Sequence, residues 1–86
     1  MIKLYSKADC PFCDLAKTLL EESGIEYQVV RIDRDAEERE YLIAQGHRSV
    51  PQLYVGDTLF VENGFDGLKA LGHAAIMRRY KELTTL

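Results

Sequence analysis

The sequence predicts one α/β domain spanning residues 1–86, in which a four-stranded mixed sheet carries helices on both faces. Three observations support this prediction. Short β-rich segments alternate with segments of helical periodicity in the order β-α-β-α-β-β-α. The length of 86 residues suffices for one compact domain and is too short for two. No internal repeat, low-complexity segment or linker divides the chain.

The N-terminal part is predicted to form a β-α-β unit. Ile2–Tyr5 is a short strand, and Pro11 suits the first turn of the helix that follows, where a missing N–H has no cost. Gly24 ends this helix, whose apolar residues recur at helical spacing: Phe12, Leu15, Ala16, Leu19 and Leu20. Tyr27–Ile32 has too few polar positions for an exposed strand, so we expect it in the centre of the sheet. A crossover helix between the two strands predicts a right-handed parallel pair.

A second helix is predicted over Ala36–Gln45. Asp33 and Asp35 are its candidate N-cap residues, because a carboxylate accepts hydrogen bonds from the free N–H groups of a first turn. The residues of this helix that we expect to be buried are Tyr41 and Leu42.

A hairpin and a final helix complete the predicted domain. The hairpin joins strand Gln52–Val55 to strand Thr58–Val61 through a turn at residues 56 and 57, and it adds antiparallel strands to the sheet. The final helical region runs from Phe65 to about Leu83. Gly72 interrupts it, which predicts either two helices or one kinked helix.

The composition is that of an ordinary globular domain, with 47% hydrophobic and 29% charged residues. A net charge of -3 without a cluster of basic residues disfavours nucleic acid as a partner. No apolar run approaches the roughly 20 residues that a membrane-spanning helix needs. The N-terminal residues lack the apolar stretch and cleavage site of a signal peptide, so we expect a cytoplasmic protein.

The two cysteines, Cys10 and Cys13, lie within four residues of each other. A disulfide that closes so short a loop adds little stability, so this spacing indicates a catalytic pair or part of a metal site. Zinc needs four ligands, and the remaining familiar ones, His47 and His73, do not follow a zinc-finger spacing. Catalysis is therefore the favoured interpretation, and neither histidine receives a role.

The position of the cysteines at the start of a predicted helix distinguishes their roles. The free N–H groups and the macrodipole of a helix N-terminus favour a thiolate, so Cys10 is predicted to be the attacking sulfur. Cys13, one turn inside the helix, is predicted to be less exposed and to act as the resolving thiol. Lys7 supplies a nearby cation that supports the thiolate, whereas the charge of Asp9 opposes it.

Three segments of the chain resemble the motifs of dithiol glutaredoxins: residues 6–13 (Ser-Lys-Ala-Asp-Cys-Pro-Phe-Cys), 49–57 (Ser-Val-Pro-Gln-Leu-Tyr-Val-Gly-Asp) and 63–66 (Asn-Gly-Phe-Asp). The resemblance extends from Ile2 to about Leu71. It implies a thioredoxin-like fold and a monomeric glutathione-disulfide oxidoreductase that reduces protein disulfides and glutathionylated proteins. Glutathione would be a co-substrate, with no tightly bound cofactor.

The resemblance also implies a glutathione site. Lys7 is similar to the family lysine that meets a glutathione carboxylate. Arg39 is the candidate for the other carboxylate contact, and Arg48 competes with it. A peptide with two carboxylates and one ammonium needs cations at one end and an acid or a helix N-terminus at the other, which gives these assignments physical sense.

The remaining implied contacts surround the cysteines. Val50 resembles the residue whose backbone pairs with the cysteinyl part of glutathione, and Pro51 resembles the family cis-proline. Phe12 lies where the family has Tyr or Phe beside the active cysteine. The family segment that holds the γ-glutamyl end of glutathione is represented in this chain by the similar residues Gly64, Phe65 and Asp66. Two positions depart from the family pattern, Asn63 in place of a glycine and Gly67 in place of a second acid, and both are expected to weaken glutathione affinity.

Two alternatives remain open. The segment from Glu37 to Val50 and the later Gly64 and Phe65 also resemble small glutaredoxin-like redoxins, which reduce ribonucleotide reductase and accept electrons from thioredoxin reductase. Those redoxins have a Cys-Val-Gln-Cys type of active site, which this chain lacks, so its Cys-Pro-Phe-Cys sequence favours a glutaredoxin. Phage-type glutaredoxins also serve ribonucleotide reductase, so the two alternatives overlap in substrate. The second alternative is a module in which glutathione and Cys10 of two chains hold an iron–sulfur cluster, although a neighbouring thiol favours a disulfide instead.

Overall fold

A computed structural model describes residues 1–85 and has the predicted order of elements. Leu86, which the predicted domain includes, lies outside the described residues. The elements are β1 (Ile2–Ser6), α1 (Pro11–Glu22), β2 (Tyr27–Arg31), α2 (Ala36–Ala44), β3 (Gln52–Val55), β4 (Thr58–Leu59) and α3 (Gly64–Thr84). The predicted α/β fold class is therefore confirmed.

The four strands form one mixed sheet in the order β2-β1-β3-β4. β1 pairs in parallel with β2, and the pairs β1–β3 and β3–β4 are antiparallel. The prediction that the second strand is central was wrong, because β2 lies at an edge of the sheet. The apolar residues of β2 instead reflect packing on both faces of the sheet, because Tyr27 packs towards one face and Val30 towards the other. Val29, by contrast, is exposed.

Helices cover both faces of the sheet, as predicted. Side chains alternate along a strand, so β1 directs Ile2 and Leu4 to one face and Tyr5 to the other. On the first face, the strands pack against α1 and α3 in a core whose helical members include Ala16, Leu20, Leu68 and Ile76. On the second face, Tyr5 and Tyr54 pack against Leu42 of α2.

Only one of the two aspartates predicted as N-cap candidates caps α2. Asp35 is the N-cap, and its side chain accepts a hydrogen bond from the N–H of Glu38 at 3.1 Å. Asp33 does not cap the helix, because its carboxylate is bound to Arg31 and to the N–H of Ala8. Tyr41, expected to be buried, is only half-buried.

The C-terminal elements differ from the prediction mainly at β4. This strand ends at Leu59 rather than Val61, because the chain turns where the Phe60 side chain enters the core. α3 contains the predicted interruption at Gly72, whose φ of 77° and ψ of 165° are not helical. No helix in the described part of the chain is long and apolar enough to cross a membrane.

Candidate active site

Cys10 and Cys13 lie at the start of α1 and are joined by a disulfide bond. Cys10 is the N-cap of the helix, and Pro11 takes the first helical position, as predicted. The Cys10 sulfur accepts a hydrogen bond from the backbone N–H of Cys13 at 3.2 Å. It therefore occupies the place that a serine or aspartate oxygen takes in most N-caps.

The two sulfurs have different surroundings. Cys10 is 8% exposed, whereas Cys13 is completely buried. After reduction, the N–H of Cys13 and the positive end of the α1 macrodipole would stabilise a thiolate on Cys10. Of the two cysteines, Cys10 is therefore the more accessible and Cys13 the more shielded, as predicted.

The loop between β1 and α1 is tied to the end of β2. The N–H of Ala8 donates to Asp33 Oδ2 at 3.3 Å, and Arg31 binds the same carboxylate through Nε at 2.8 Å and Nη2 at 2.6 Å. The hydrogen bonds from Arg31 are the main reason that the pKa of Asp33 lies well below its ordinary range. Asp9, at φ 53°, is exposed in this loop. Asp33 thus positions the segment that leads into Cys10, a role that sequence reasoning missed.

An open groove of about 750 Å³ lies beside the disulfide. It brings together six of the residues that the sequence proposed for a ligand site, which are Phe12, Val50, Pro51, Gly64, Phe65 and Asp66. The Val50–Pro51 peptide bond is cis, as the resemblance implied. The Val50 carbonyl oxygen lies 3.9 Å from Cys10 Sγ, so one wall of the groove ends at the disulfide.

A smaller cavity of about 150 Å³ adjoins the groove and contains the proposed cations. Lys7 and Arg39 line this cavity, and Arg48 lines both cavities. The structure therefore brings both candidate arginines to the site and does not choose between them. Glu62 and Asp66 line only the groove, whereas Lys7 and Arg39 line only the smaller cavity, so the carboxylates lie on one side of Arg48 and the other two cations in the smaller cavity.

Two glycines at the start of α3 are required by close backbone approaches. A Cβ on Gly64 would lie 2.7 Å from the carbonyl oxygen of Pro51, and its φ of 54° is left-handed. A Cβ on Gly67 would collide with the carbonyl oxygen of Glu62. The absence of a second acid after Asp66 therefore has a structural reason: no side chain fits at position 67 beside this turn.

Aromatic rings form the apolar wall of the groove. The rings of Phe12 and Phe65 lie 6.2 Å apart between centroids, and they connect α1 to α3 beside the disulfide. Phe12 is 57% exposed, which is unusual for an aromatic side chain of a small domain and leaves its ring available to a ligand.

The two histidines for which the sequence offered no role have different environments. His73 Nδ1 lies 2.8 Å from Ser23 Oγ, and this contact joins the end of α1 to α3. His47 Nε2 lies 2.6 Å from the Tyr54 hydroxyl, and His47 lines both cavities. The sequence signal for His47 was limited to its place three residues before Val50, because only the fold brings it to Tyr54.

Comparison with known proteins agrees with this arrangement. The glutaredoxin family profile matches residues 2–60, which include both cysteines and all four strands. A probable glutaredoxin of Synechocystis is 40% identical over 75 residues, which cover 85% of this chain and 83% of that protein. Glutaredoxin 3 of Escherichia coli K12 is 38% identical over 71 residues, which cover 81% of this chain and 83% of that protein.

A solved structure extends the likeness to the backbone. The glutaredoxin-like NrdH-redoxin of Escherichia coli superposes with a TM-score of 0.69 at 33% identity, covering 81% of this chain and 92% of that chain. Since the sequence match spans the whole sheet together with the paired cysteines, this chain belongs to the glutaredoxin family of thiol–disulfide oxidoreductases, with their thioredoxin-like fold.

Proposed function

We propose that this protein is a glutathione-dependent oxidoreductase that reduces protein disulfides and glutathionylated proteins, acting as a monomer in the cytoplasm. The observation that carries the proposal is the pair of adjoining cavities beside Cys10: Lys7, Arg39 and Arg48 line the smaller cavity, and Asp66 lines the groove. Glutathione has two carboxylates and one ammonium, and this distribution of charge is complementary to it.

The backbone around the groove offers the remaining contacts. An extended peptide can pair with the backbone at Val50 as an added strand would, which brings a cysteinyl sulfur towards Cys10. The N-cap of α3, Asn63, makes no side-chain hydrogen bond to the helix. The first N–H groups of α3 are therefore free of a side-chain cap, and they favour a carboxylate of the γ-glutamyl end, while Asp66 suits its ammonium.

The proposed reaction consists of thiol–disulfide exchanges. The Cys10 thiolate attacks one sulfur of the substrate disulfide, and the other sulfur leaves as a thiolate. Cys13 then attacks the mixed disulfide, which releases the reduced substrate and forms the Cys10–Cys13 bond. One glutathione opens this bond to give glutathionyl-Cys10, and a second glutathione attacks it to give glutathione disulfide and the dithiol enzyme.

A redoxin that receives electrons from thioredoxin reductase is the second candidate. The observation that favours it is the likeness to the NrdH-redoxin, a glutaredoxin-like protein described by a thioredoxin-like activity profile. The Cys-Pro-Phe-Cys sequence and the charged groove support the glutathione proposal over this one. Ribonucleotide reductase is a proposed electron acceptor under either candidate.

One experiment separates the two reductants. The oxidised protein is mixed either with glutathione, glutathione reductase and NADPH, or with thioredoxin reductase and NADPH, and NADPH consumption is followed. We expect rapid reduction by the glutathione system and slow reduction by thioredoxin reductase. The reverse order would reject the glutathione proposal. The Cys10→Ser variant, which cannot form the disulfide, gives the background rate in both mixtures.

A further inference from the structure

His47 is held at the junction of the two cavities by the end of α2. Gly46, with a φ of 90°, follows the C-cap, and its N–H donates to the carbonyl of Ile43 at 3.0 Å. The N–H of His47 donates to the carbonyl of Leu42, also at 3.0 Å. This pair of hydrogen bonds is the Schellman motif, which fixes the backbone of the second residue beyond the helix. His47 therefore starts from a defined backbone position.

The side chain of His47 is fixed as well, by Tyr54. This tyrosine is 3% exposed in β3, and its hydroxyl lies 2.6 Å from His47 Nε2. The two rings meet edge to face, with centroids 5.7 Å apart. A buried phenol needs a hydrogen-bonding partner, and within residues 1–85 His47 is the one found for this hydroxyl.

The direction of this hydrogen bond determines the chemistry of the other ring nitrogen. The buried Tyr54 hydroxyl has one hydrogen to donate, and within residues 1–85 His47 Nε2 is the acceptor found for it, so we assign the hydroxyl as the donor. Burial raises the pKa of Tyr54, which is consistent with a protonated hydroxyl. A neutral imidazole that accepts at Nε2 carries its hydrogen on Nδ1. If the ring becomes protonated, Nδ1 still carries a hydrogen. The Nδ1–H group is then a donor in either protonation state.

We propose that His47 binds a carboxylate of glutathione through Nδ1–H, and that Tyr54 is the positioning residue that selects this tautomer. The inference rests on the proposed glutathione-dependent function. The carboxylate concerned is the one that enters the cationic part of the site, because His47 lines that cavity together with Lys7 and Arg39.

His47 differs from the neighbouring cations in that its side chain is held in place before a ligand binds. Lys7, Arg39 and Arg48 are exposed, long side chains, so each loses rotamer freedom when it holds an anion. His47 is half-buried and already held by Leu42 and Tyr54, so it loses little conformational entropy when it binds. It therefore orients the carboxylate that the cations attract.

The tautomer is tested first, and this test does not need glutathione. Nitrogen-15 NMR of histidine-labelled protein, at a pH where the imidazole is neutral, shows which ring nitrogen of His47 carries hydrogen. We expect hydrogen on Nδ1 in the wild-type protein and a shift towards Nε2 in Tyr54→Phe. Hydrogen on Nε2 in the wild-type protein would overturn the inference, whatever the reductant of this enzyme is.

Binding is tested by the KM for glutathione in the reduction of a glutathionylated protein. Tyr54→Phe and His47→Gln should each raise this KM by about three- to tenfold, the effect of losing one hydrogen bond, with little change in kcat. His47→Asn, whose amide N–H can stand near the position of Nδ1, should restore part of the affinity. Tyr5→Phe is the matched control, because it removes a buried hydroxyl of the same aromatic cluster that interacts with Glu38 rather than His47.

A modified substrate identifies the group that His47 contacts. With glutathione whose glycine carboxylate is converted to an amide, Tyr54→Phe should raise KM less than with glutathione, since a neutral acceptor makes a weaker hydrogen bond. An unchanged KM in both Tyr54→Phe and His47→Gln would overturn the binding role even if the tautomer is as expected. If the wild-type protein is not reduced by glutathione, the proposed function fails and this binding role fails with it, while the NMR result on the tautomer remains valid.

Discussion

The backbone N–H of Cys13 donates a hydrogen bond to Cys10 Sγ, so the sulfur that we propose as the attacking group is also the N-cap of α1. This relationship joins folding to chemistry. A helix N-terminus needs an acceptor for its free N–H groups, and a thiolate is a stronger acceptor than a thiol. Formation of α1 therefore favours the charged form of Cys10 in the reduced protein.

Replacement of each cysteine by serine tests the assigned roles. Cys10→Ser should abolish thiol transfer while the helix stays capped, because serine is a good N-cap residue. Cys13→Ser should still remove glutathione from a glutathionylated protein, but it should lose most of its reduction of a protein disulfide such as insulin. Activity assays with the two substrates and a thermal unfolding curve check this. Retained activity in Cys10→Ser, or equal losses in both variants, would contradict the roles.

Lys7→Ala tests the smaller, cationic cavity, and Asp66→Ala tests the acidic part of the groove. Each should raise the KM for glutathione by about three- to tenfold, because each removes one charge-assisted contact. The effect of Lys7→Ala should shrink as salt is added, since Lys7 is exposed and its field is screened. Lys69→Ala, an exposed lysine of α3 outside the lining of either cavity, is the matched control. Unchanged KM values in both variants would favour thioredoxin reductase as the electron donor.

Gly64→Ala tests the close contact between α3 and the turn that carries Pro51. Left-handed φ alone costs an alanine about 1–2 kcal/mol, and the contact of its Cβ with the Pro51 carbonyl oxygen adds to this cost. Gly56→Ala is the matched control, because Gly56 has a nearly equal φ of 59° and no atom within 4 Å of the Cβ position.

Urea denaturation and the KM for glutathione measure these two effects separately. Gly56→Ala should lose stability only, whereas Gly64→Ala should lose more stability and also raise KM, since the groove wall must move. An equal loss of stability in the two variants would show that the contact with Pro51 has no energetic importance.

Features that depend on neighbouring residues could be predicted from the sequence. The start of α1 at Cys10 and Pro11 and the interruption at Gly72 follow from residues adjacent in the chain, and the structure confirms them. The position of β2 at the edge could not be predicted, because its apolar residues indicate burial but not which strands lie beside it.

The same contrast between residues close in sequence and residues distant in sequence explains which parts of the candidate site could be predicted. The motifs that resemble the family identified residues that the fold brings to adjoining cavities. Contacts between segments distant in sequence were missed, such as the bond from the Ala8 N–H to Asp33 and the bond between His47 and Tyr54. Asp33 has the residue type and the position of a helix cap, and only the approach of the active-site loop shows that its carboxylate is used elsewhere.

Asp33→Asn tests whether Asp33 holds the loop before Cys10. The pH dependence of the stability shows in which direction the variant should differ. The pKa of Asp33 is lowered in the folded protein, mainly by the hydrogen bonds from Arg31, so its contribution to stability is present above the ordinary aspartate pKa of about 4 and is lost as the pH falls below it. Urea midpoints measured from neutral pH downwards should therefore fall more steeply for the wild-type protein than for Asp33→Asn.

In addition, the Ala8 amide should exchange its hydrogen faster in Asp33→Asn, because its acceptor is weakened. Asp35→Asn, which alters the α2 cap two residues away, should leave the exchange of Ala8 unchanged. If Asp35→Asn accelerates that exchange as much as Asp33→Asn does, the loop is not held by Asp33.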